Sequence, residues 1–166
     1  MALHIVLFEP EIPQNTGNIA RTCAAVGATL HLVHPLGFSL SEKHLRRAGL
    51  DYWPLLTLCE YAHIDEFMER KGSENLFFFT TKARHSYTDV SYPEETYLVF
   101  GKESAGIPES ILVNHQSACV RIPMRSEARS LNLSNSVAIA TYEYLRQAQF
   151  PELSATGTLH RLSWKE

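Results

Sequence analysis

Six short apolar runs alternate along this chain with helical patterns, and that alternation limits the fold more than any other feature. The runs are Leu3–Phe8, Thr29–His34, Leu55–Cys59, Leu76–Thr81, Tyr97–Phe100 and Ala118–Ile122. Between them, helices are predicted over Thr16–Val26, Ser41–Ala48 and Ile64–Arg70, followed closely by Gly27, Gly49 and Gly72, and over Pro108–His115. Glycine just past a helix end takes the left-handed conformation that stops it. A last helix, Leu133–Gln147, carries Leu133, Val137, Thr141, Tyr144 and Leu145 on one side. Strands separated by helices are joined by crossovers and so run parallel. Leu76-Phe-Phe-Phe79 and Tyr97-Leu-Val-Phe100 are apolar throughout, as strands are when both faces of their sheet are covered. The expectation is one α/β domain over residues 1–150, with a mostly parallel sheet and helices on both faces, and a mobile tail over 151–166.

With 166 residues, 45% hydrophobic and 20% charged, the chain has the composition of an ordinary globular domain. No apolar run approaches the ~20 residues of a membrane span, and the N-terminus has no charged export signal. A cytoplasmic protein without membrane association is expected. Cys23, Cys59 and Cys119 are odd in number and far apart, which favours reduced thiols. His31 and His34 fall on opposite faces of a strand, and no CxxC or HxxxH spacing occurs, so no metal is expected. A net charge of −3 argues against non-specific coating of nucleic acid. Local cationic clusters remain: Lys43 to Arg47, Lys82 to His85, and the trio Arg121, Arg125 and Arg129. Their place beside polar loops points to an anionic partner.

Three polar loops, punctuated by Gly and Pro, follow three of the apolar runs: Pro10–Arg21, Phe100–Pro108 and Arg121–Val137. An α/β enzyme builds its site from such segments. Two nucleotide motifs are excluded. Gly101 and Gly106 have phosphate-loop spacing, but Ile107-Pro108 stand where Lys-Ser/Thr is required. The turn after the first run has only Gly17, too few glycines for a dinucleotide fingerprint.

Pro13-Gln-Asn-Thr-Gly-Asn-Ile-Ala-Arg21, Phe100-Gly-x-Glu103-x-x-Gly-Ile-Pro108 and Ile122-Pro-Met124 with Ser130-x-Asn132-Leu-Ser-Asn135 resemble the three signature motifs of the SPOUT RNA methyltransferases. The resemblance is strongest to the short tRNA wobble-position ribose 2′-O-methyltransferases of the TrmL/YibK type. It runs from Leu3 to Gln147 and includes Leu45–Tyr52 and Thr80–Lys82. It implies S-adenosylmethionine as methyl donor without a metal, a homodimer, and a C-terminal deep trefoil knot. The implied substrate is the wobble cytidine or uridine of tRNA, with leucine tRNAs foremost. Pattern reasoning alone argues against a knot, since threaded chains are rare. Methylation at another tRNA or ribosomal RNA site, or RNA binding without catalysis, are the competing readings.

Carried over residue by residue, the resemblance places Phe79, Gly101, Ile122, Met124, Ser130 and Leu131 at the cofactor. It places Arg21, Asn15, Asn18, Glu103, Ser130 and Asn132 in substrate chemistry. Asn18 and Arg21, three apart on a helix, point the same way. A guanidinium with pKa above ~12 is a poor base, so Arg21 is read as a clamp and electrostatic stabiliser; its alternative is a surface ion pair with Glu9 or Glu11. Asn15 either caps its helix or reaches substrate, and Ser130 and Asn132 are equally good helix caps. Glu103 either orients Arg21 or Asn132 or satisfies loop amides. Tyr142 belongs either to the dimer interface or to the core. Arg46, Arg47, Lys82 and Arg129 are the candidate grip on tRNA phosphates. Lys102, Ser104 and Ala105 depart from the Pro, Thr and Arg frequent in such proteins; Ala128 and Leu131 depart from a serine and a methionine.

Overall fold

The computed structural model describes residues 2–40, 52–72 and 74–165. In chain order these form β1 (Ala2–Phe8), α1 (Pro13–Val26), β2 (Thr29–Val33), β3 (Thr57–Tyr61), α2 (Ile64–Lys71), β4 (Leu76–Phe79), β5 (His85–Ser86), β6 (Glu95–Phe100), α3 (Glu109–Leu112), β7 (Cys119–Arg121) and α4 (Leu133–Gln147). The strands make one sheet in the order β3-β2-β1-β6-β4-β7-β5, and every pairing is parallel.

The period-two alternation of β1 sorts its side chains onto two cores. Leu3, Ile5 and Leu7 pack with Ile19, Ala20 and Cys23 of α1 and Val137, Ala140, Tyr144 and Leu145 of α4. Val6 and Phe8 face the other way, toward Phe67 of α2 and Leu112 of α3. Helices therefore cover both faces. His31 of β2 is buried on the second side, hydrogen-bonded through its two ring nitrogens to His4 (2.9 Å) and the Tyr61 hydroxyl (3.0 Å). The three cysteines are free thiols.

Local chemistry explains the element ends. Pro13 opens α1 three residues before the predicted start, because proline suits the first turn, where its missing N–H costs nothing. Gly27, at φ 74°, closes it. His63 caps α2 by accepting from Glu66 N–H, while the Glu66 carboxylate accepts from Ala62 N–H, a reciprocal N-terminal clasp. The helix predicted over Pro108–His115 is a single turn, Glu109–Leu112, followed by a 3₁₀ turn at Gln116–Ala118. The strand predicted from Leu55 begins at Thr57 instead, since Trp53–Leu55 form a 3₁₀ turn around Pro54. Strand β5 has no counterpart among the predicted runs. The helix expected over Ser41–Ala48 lies outside the described residues. Residues 151–165 carry no helix or strand, and Leu153 packs against the first core.

Candidate active site

Strands β1, β6, β4 and β7 are consecutive neighbours and parallel, so the segments leaving their carboxyl ends emerge side by side. They enclose a cavity of about 460 Å³. Its lining comes from Ile12 and Asn15 after β1, residues 79–82 at the end of β4, 100–107 at the end of β6, and Ile122, Met124 and 130–133 after β7. A topological position outside the strand carboxyl ends is where open α/β sheets bind ligands.

Gly101 permits the wall that β6 contributes. A Cβ there would stand 2.0 Å from the carbonyl carbon of Gly106 and 2.2 Å from the nitrogen of Ile107, so the loop folds onto its own backbone and only glycine fits. Gly106, at φ 71°, closes the turn by donating its N–H to Lys102 O at 2.8 Å.

A hydrogen-bond chain joins the three loops. Glu103 accepts from Glu11 N–H (2.7 Å), Ile12 N–H (3.2 Å) and the Asn15 side-chain amide (3.1 Å). A carboxylate only accepts, so Asn15 must turn Nδ2 toward it and Oδ1 away. That Oδ1 accepts from Asn132 Nδ2 at 3.0 Å, which directs Asn132 Oδ1 to the start of α4. There it accepts from Ser134 N–H (2.9 Å), Ser134 Oγ (2.6 Å) and Asn135 N–H (3.3 Å). Asn132 thus caps its helix and ties it to α1, while Asn15 sits within α1 and caps nothing; the residue at that cap is Ile12, without a side-chain bond.

Several charged residues on the loops are paired. Glu11 accepts from the backbone and hydroxyl of Ser104, both at 2.8 Å, and these bonds hold its carboxyl below the ordinary range. Lys102 meets Glu9 at 2.9 Å, which raises the lysine. Lys82 meets Glu109 at 2.8 Å, which lowers the glutamate. Sequence reading missed Glu9, Glu11 and Glu109 in these roles. The only signal was acidic residues within otherwise functional loops.

The structure brings Phe79, Lys82, Gly101, Glu103, Ile122, Met124, Ser130, Leu131, Asn15 and Asn132 around one cavity. It does not bring Asn18 or Arg21 there: both are exposed on the outer side of α1. The Arg21 guanidinium lies 4.8 Å from the centre of the Tyr52 ring and 3.5 Å from its hydroxyl, so neither Glu9 nor Glu11 is its partner. Tyr142 is 52% exposed on α4, which rules out a core role. Arg129 is exposed beside the cavity rim, and Arg46 and Arg47 lie outside the described residues. Among the described residues no group of three or more His, Cys, Asp or Glu gathers as a metal site, and no helix is long and apolar enough to cross a membrane.

The SpoU rRNA Methylase family profile matches residues 2–142 of this chain. A tRNA (cytidine(34)-2′-O)-methyltransferase of Saccharophagus degradans is 47% identical over 149 residues, 89% of this chain and 96% of that protein. The Escherichia coli K12 protein of the same name is 45% identical over 150 residues, 90% and 96% of the two chains. A solved structure concerned with 2-OH methylation of C/U34 on tRNA superposes with TM-score 0.84 at 45% identity, over 89% of this chain and 97% of that one. The SpoU methyltransferase AviRb of Streptomyces viridochromogenes, in complex with the cofactor AdoMet, superposes with TM-score 0.75 at 25% identity, over 89% and 58% of the chains. With a family profile spanning most of its length and relatives this similar over nearly their whole lengths, the chain belongs to the SpoU rRNA methylase family.

Proposed function

We propose that this protein is a cytoplasmic, homodimeric methyltransferase that moves a methyl group from S-adenosylmethionine to the ribose 2′-oxygen of nucleotide 34 in tRNA, with leucine tRNAs as the main substrates. The observation that carries this reading is the Glu103–Asn15–Asn132 chain, which draws three loops of distant sequence around one cavity. The activity named for the Escherichia coli and Saccharophagus degradans relatives, and the subject of the C/U34 structure, support the substrate. The cofactor-bound AviRb structure supports the donor.

The cavity fits that donor. About 460 Å³ lies within the range of small-molecule sites. Phe79, Ile122, Met124 and Leu131 supply apolar walls, and Gly106, where an added Cβ would meet nothing within 4 Å, leaves backbone amide and carbonyl groups open to close approach. When bound, S-adenosylmethionine supplies an already activated methyl carbon on a sulfonium. The chain's own work is then alignment: holding the ribose oxygen in line at about 3–3.5 Å from that carbon. In this reading Ser130 and Asn132, both lining the cavity, orient the ribose.

Arg21 acts from a second subunit in this reading. It is exposed, lies outside the cavity of its own chain, and rests on Tyr52 with its guanidinium available to a phosphate. The exposed apolar side chains Ile139 and Tyr142 on α4 offer the face on which two chains would pair. Arg129 at the rim, with Arg46 and Arg47, grips tRNA phosphates; Lys82 does so only after leaving Glu109. The segment from β7 to α4 is the part that threads as the knot.

The test is transfer of a labelled methyl group to unmodified total tRNA, with mass mapping of the product. Label on the ribose of nucleotide 34 is expected. Label only elsewhere in tRNA or in ribosomal RNA replaces the substrate, and tight RNA binding without label replaces catalysis by a binding role.

A further inference from the structure

Two lysines line the cavity, and each is neutralised by a carboxylate that does not. Lys102 pairs with Glu9 and Lys82 with Glu109, while the third ionised lining residue, Glu103, is held by three N–H donors. Without Glu9 and Glu109 the lining would carry a net positive charge; with them the set of five groups is net negative. We propose that Glu9, assisted by Glu109, masks the cavity lysines so that a cationic sulfonium donor binds in preference to its neutral thioether product, making Glu9 a specificity-determining residue. This rests on the methyltransferase reading above.

The pairing at Glu9 is the stronger of the two. Its side chain is 28% exposed and that of Lys102 35%, against 76% for Glu109. Glu9 also occupies a left-handed conformation, φ 51°, at the end of β1, with its N–H donated to Val33 O at 2.9 Å. A non-glycine residue seldom adopts that conformation. Here it directs the carboxylate across to the loop after β6, where it meets Lys102. The lysine and its mask are thus a matched pair, and a lysine left unmasked at this lip would repel the ligand the cavity must admit.

The donor carries one net positive charge and the demethylated product none, so a change in cavity charge acts on the first and spares the second. A unit charge over separations of about 12 Å changes affinity roughly two- to tenfold for dielectrics between bulk water and a protein surface. Salt erodes the effect when the charges are partly exposed.

The experiment is calorimetric titration of the intact protein, without RNA, using S-adenosylmethionine and S-adenosylhomocysteine separately. Glu9→Gln is expected to weaken the donor two- to tenfold, by roughly the unit-charge effect above, and to leave the product within about twofold. The double variant Glu9→Gln with Lys102→Met, which removes both charges, is expected to restore the wild-type ratio of the two affinities. Glu109→Gln is expected to act in the same direction but more weakly. Equal weakening of both ligands by Glu9→Gln, or an unaltered ratio, overturns the proposal and leaves only a structural clasp. Should Glu9→Gln not fold, the wild-type ratio measured from low to high salt decides: a falling preference for the donor supports masking, and a salt-independent ratio rejects it. Failure of the wild-type protein to bind either compound defeats the methyltransferase reading itself, an outcome distinct from these.

Discussion

Asn132 donates its side-chain amide to Asn15 Oδ1 across 3.0 Å while its own oxygen caps α4, so one residue couples the last helix to the first. The two functions separate chemically. Asn132→Asp keeps an oxygen at the cap, where aspartate is as good as asparagine, but removes the donor to Asn15. The cap of α4 should therefore persist, while the buried Asn15 oxygen left without a donor lowers folding stability by about 1–3 kcal/mol and methyl transfer falls by on the order of tenfold or more. Chemical denaturation and single-turnover transfer on the same sample check this. Full activity in the Asn132→Asp protein would remove the inter-helix bond from the mechanism.

Glu103 faces three donors, and Glu103→Gln presents them with an amide that has only one accepting atom. Either Glu11 N–H, or Ile12 N–H together with the Asn15 amide, then loses its partner, which costs about 1–3 kcal/mol for a part-buried group. Urea unfolding should show a lower midpoint with an unchanged slope. Loss of cofactor affinity is expected alongside, since residue 103 sits in the cavity wall. Stability equal to wild type would mean that solvent replaces these bonds freely.

Much of this architecture is legible in the sequence alone. The limits of α4 follow from an asparagine cap at one end and a periodic apolar stripe, and β1 sorts Leu3, Ile5 and Leu7 from Val6 and Phe8 by simple alternation. The short elements are not legible. Strand β5 has two residues held only by pairing with β7, a long-range contact that leaves no periodic trace. Glu109–Leu112 fades after one turn even though the apolar pattern continues to Val113. The pairings of Glu9 with Lys102 and Glu11 with Ser104 span 93 residues each, and nothing local distinguishes such glutamates from solvated surface. Arg21 illustrates the same limit: among the described residues it meets Tyr52, 31 residues away, rather than an acid on its own loop.

Acid should destabilise the protein through His31. Burial first, then the neighbouring His4 and Lys71 charges, push this imidazole down from 6.5 to about 3. The folded chain keeps it neutral where the unfolded chain binds a proton. Stability is thus full above pH 6.5 and declines as pH falls toward 3, by at most about 1.4 kcal/mol per pH unit from this one group. His31→Gln, which cannot titrate, should flatten that slope in unfolding measurements between those limits. The His4 ring, also lowered by burial, contributes a smaller decline of the same sign. An unchanged slope in the variant would place the acid sensitivity elsewhere.

Arg21 offers the sharpest test of how the site is assembled. It is exposed and outside its own cavity, so Arg21→Ala should leave cofactor affinity intact and lower methyl transfer on the order of a hundredfold, the scale of a lost electrostatic stabiliser. If the arginine serves the neighbouring subunit, two inactive proteins can repair each other. Mixing Arg21→Ala with Asn132→Ala chains gives heterodimers in which one site has both defects and the other has neither. Random exchange makes half the dimers mixed, and one good site in each returns about a quarter of wild-type activity in a two-fold symmetric dimer. An arginine acting within its own chain predicts no recovery at any mixing ratio, because every site then contains one defect. Activity measured against mixing ratio, with exchange followed by mass spectrometry, separates the two arrangements.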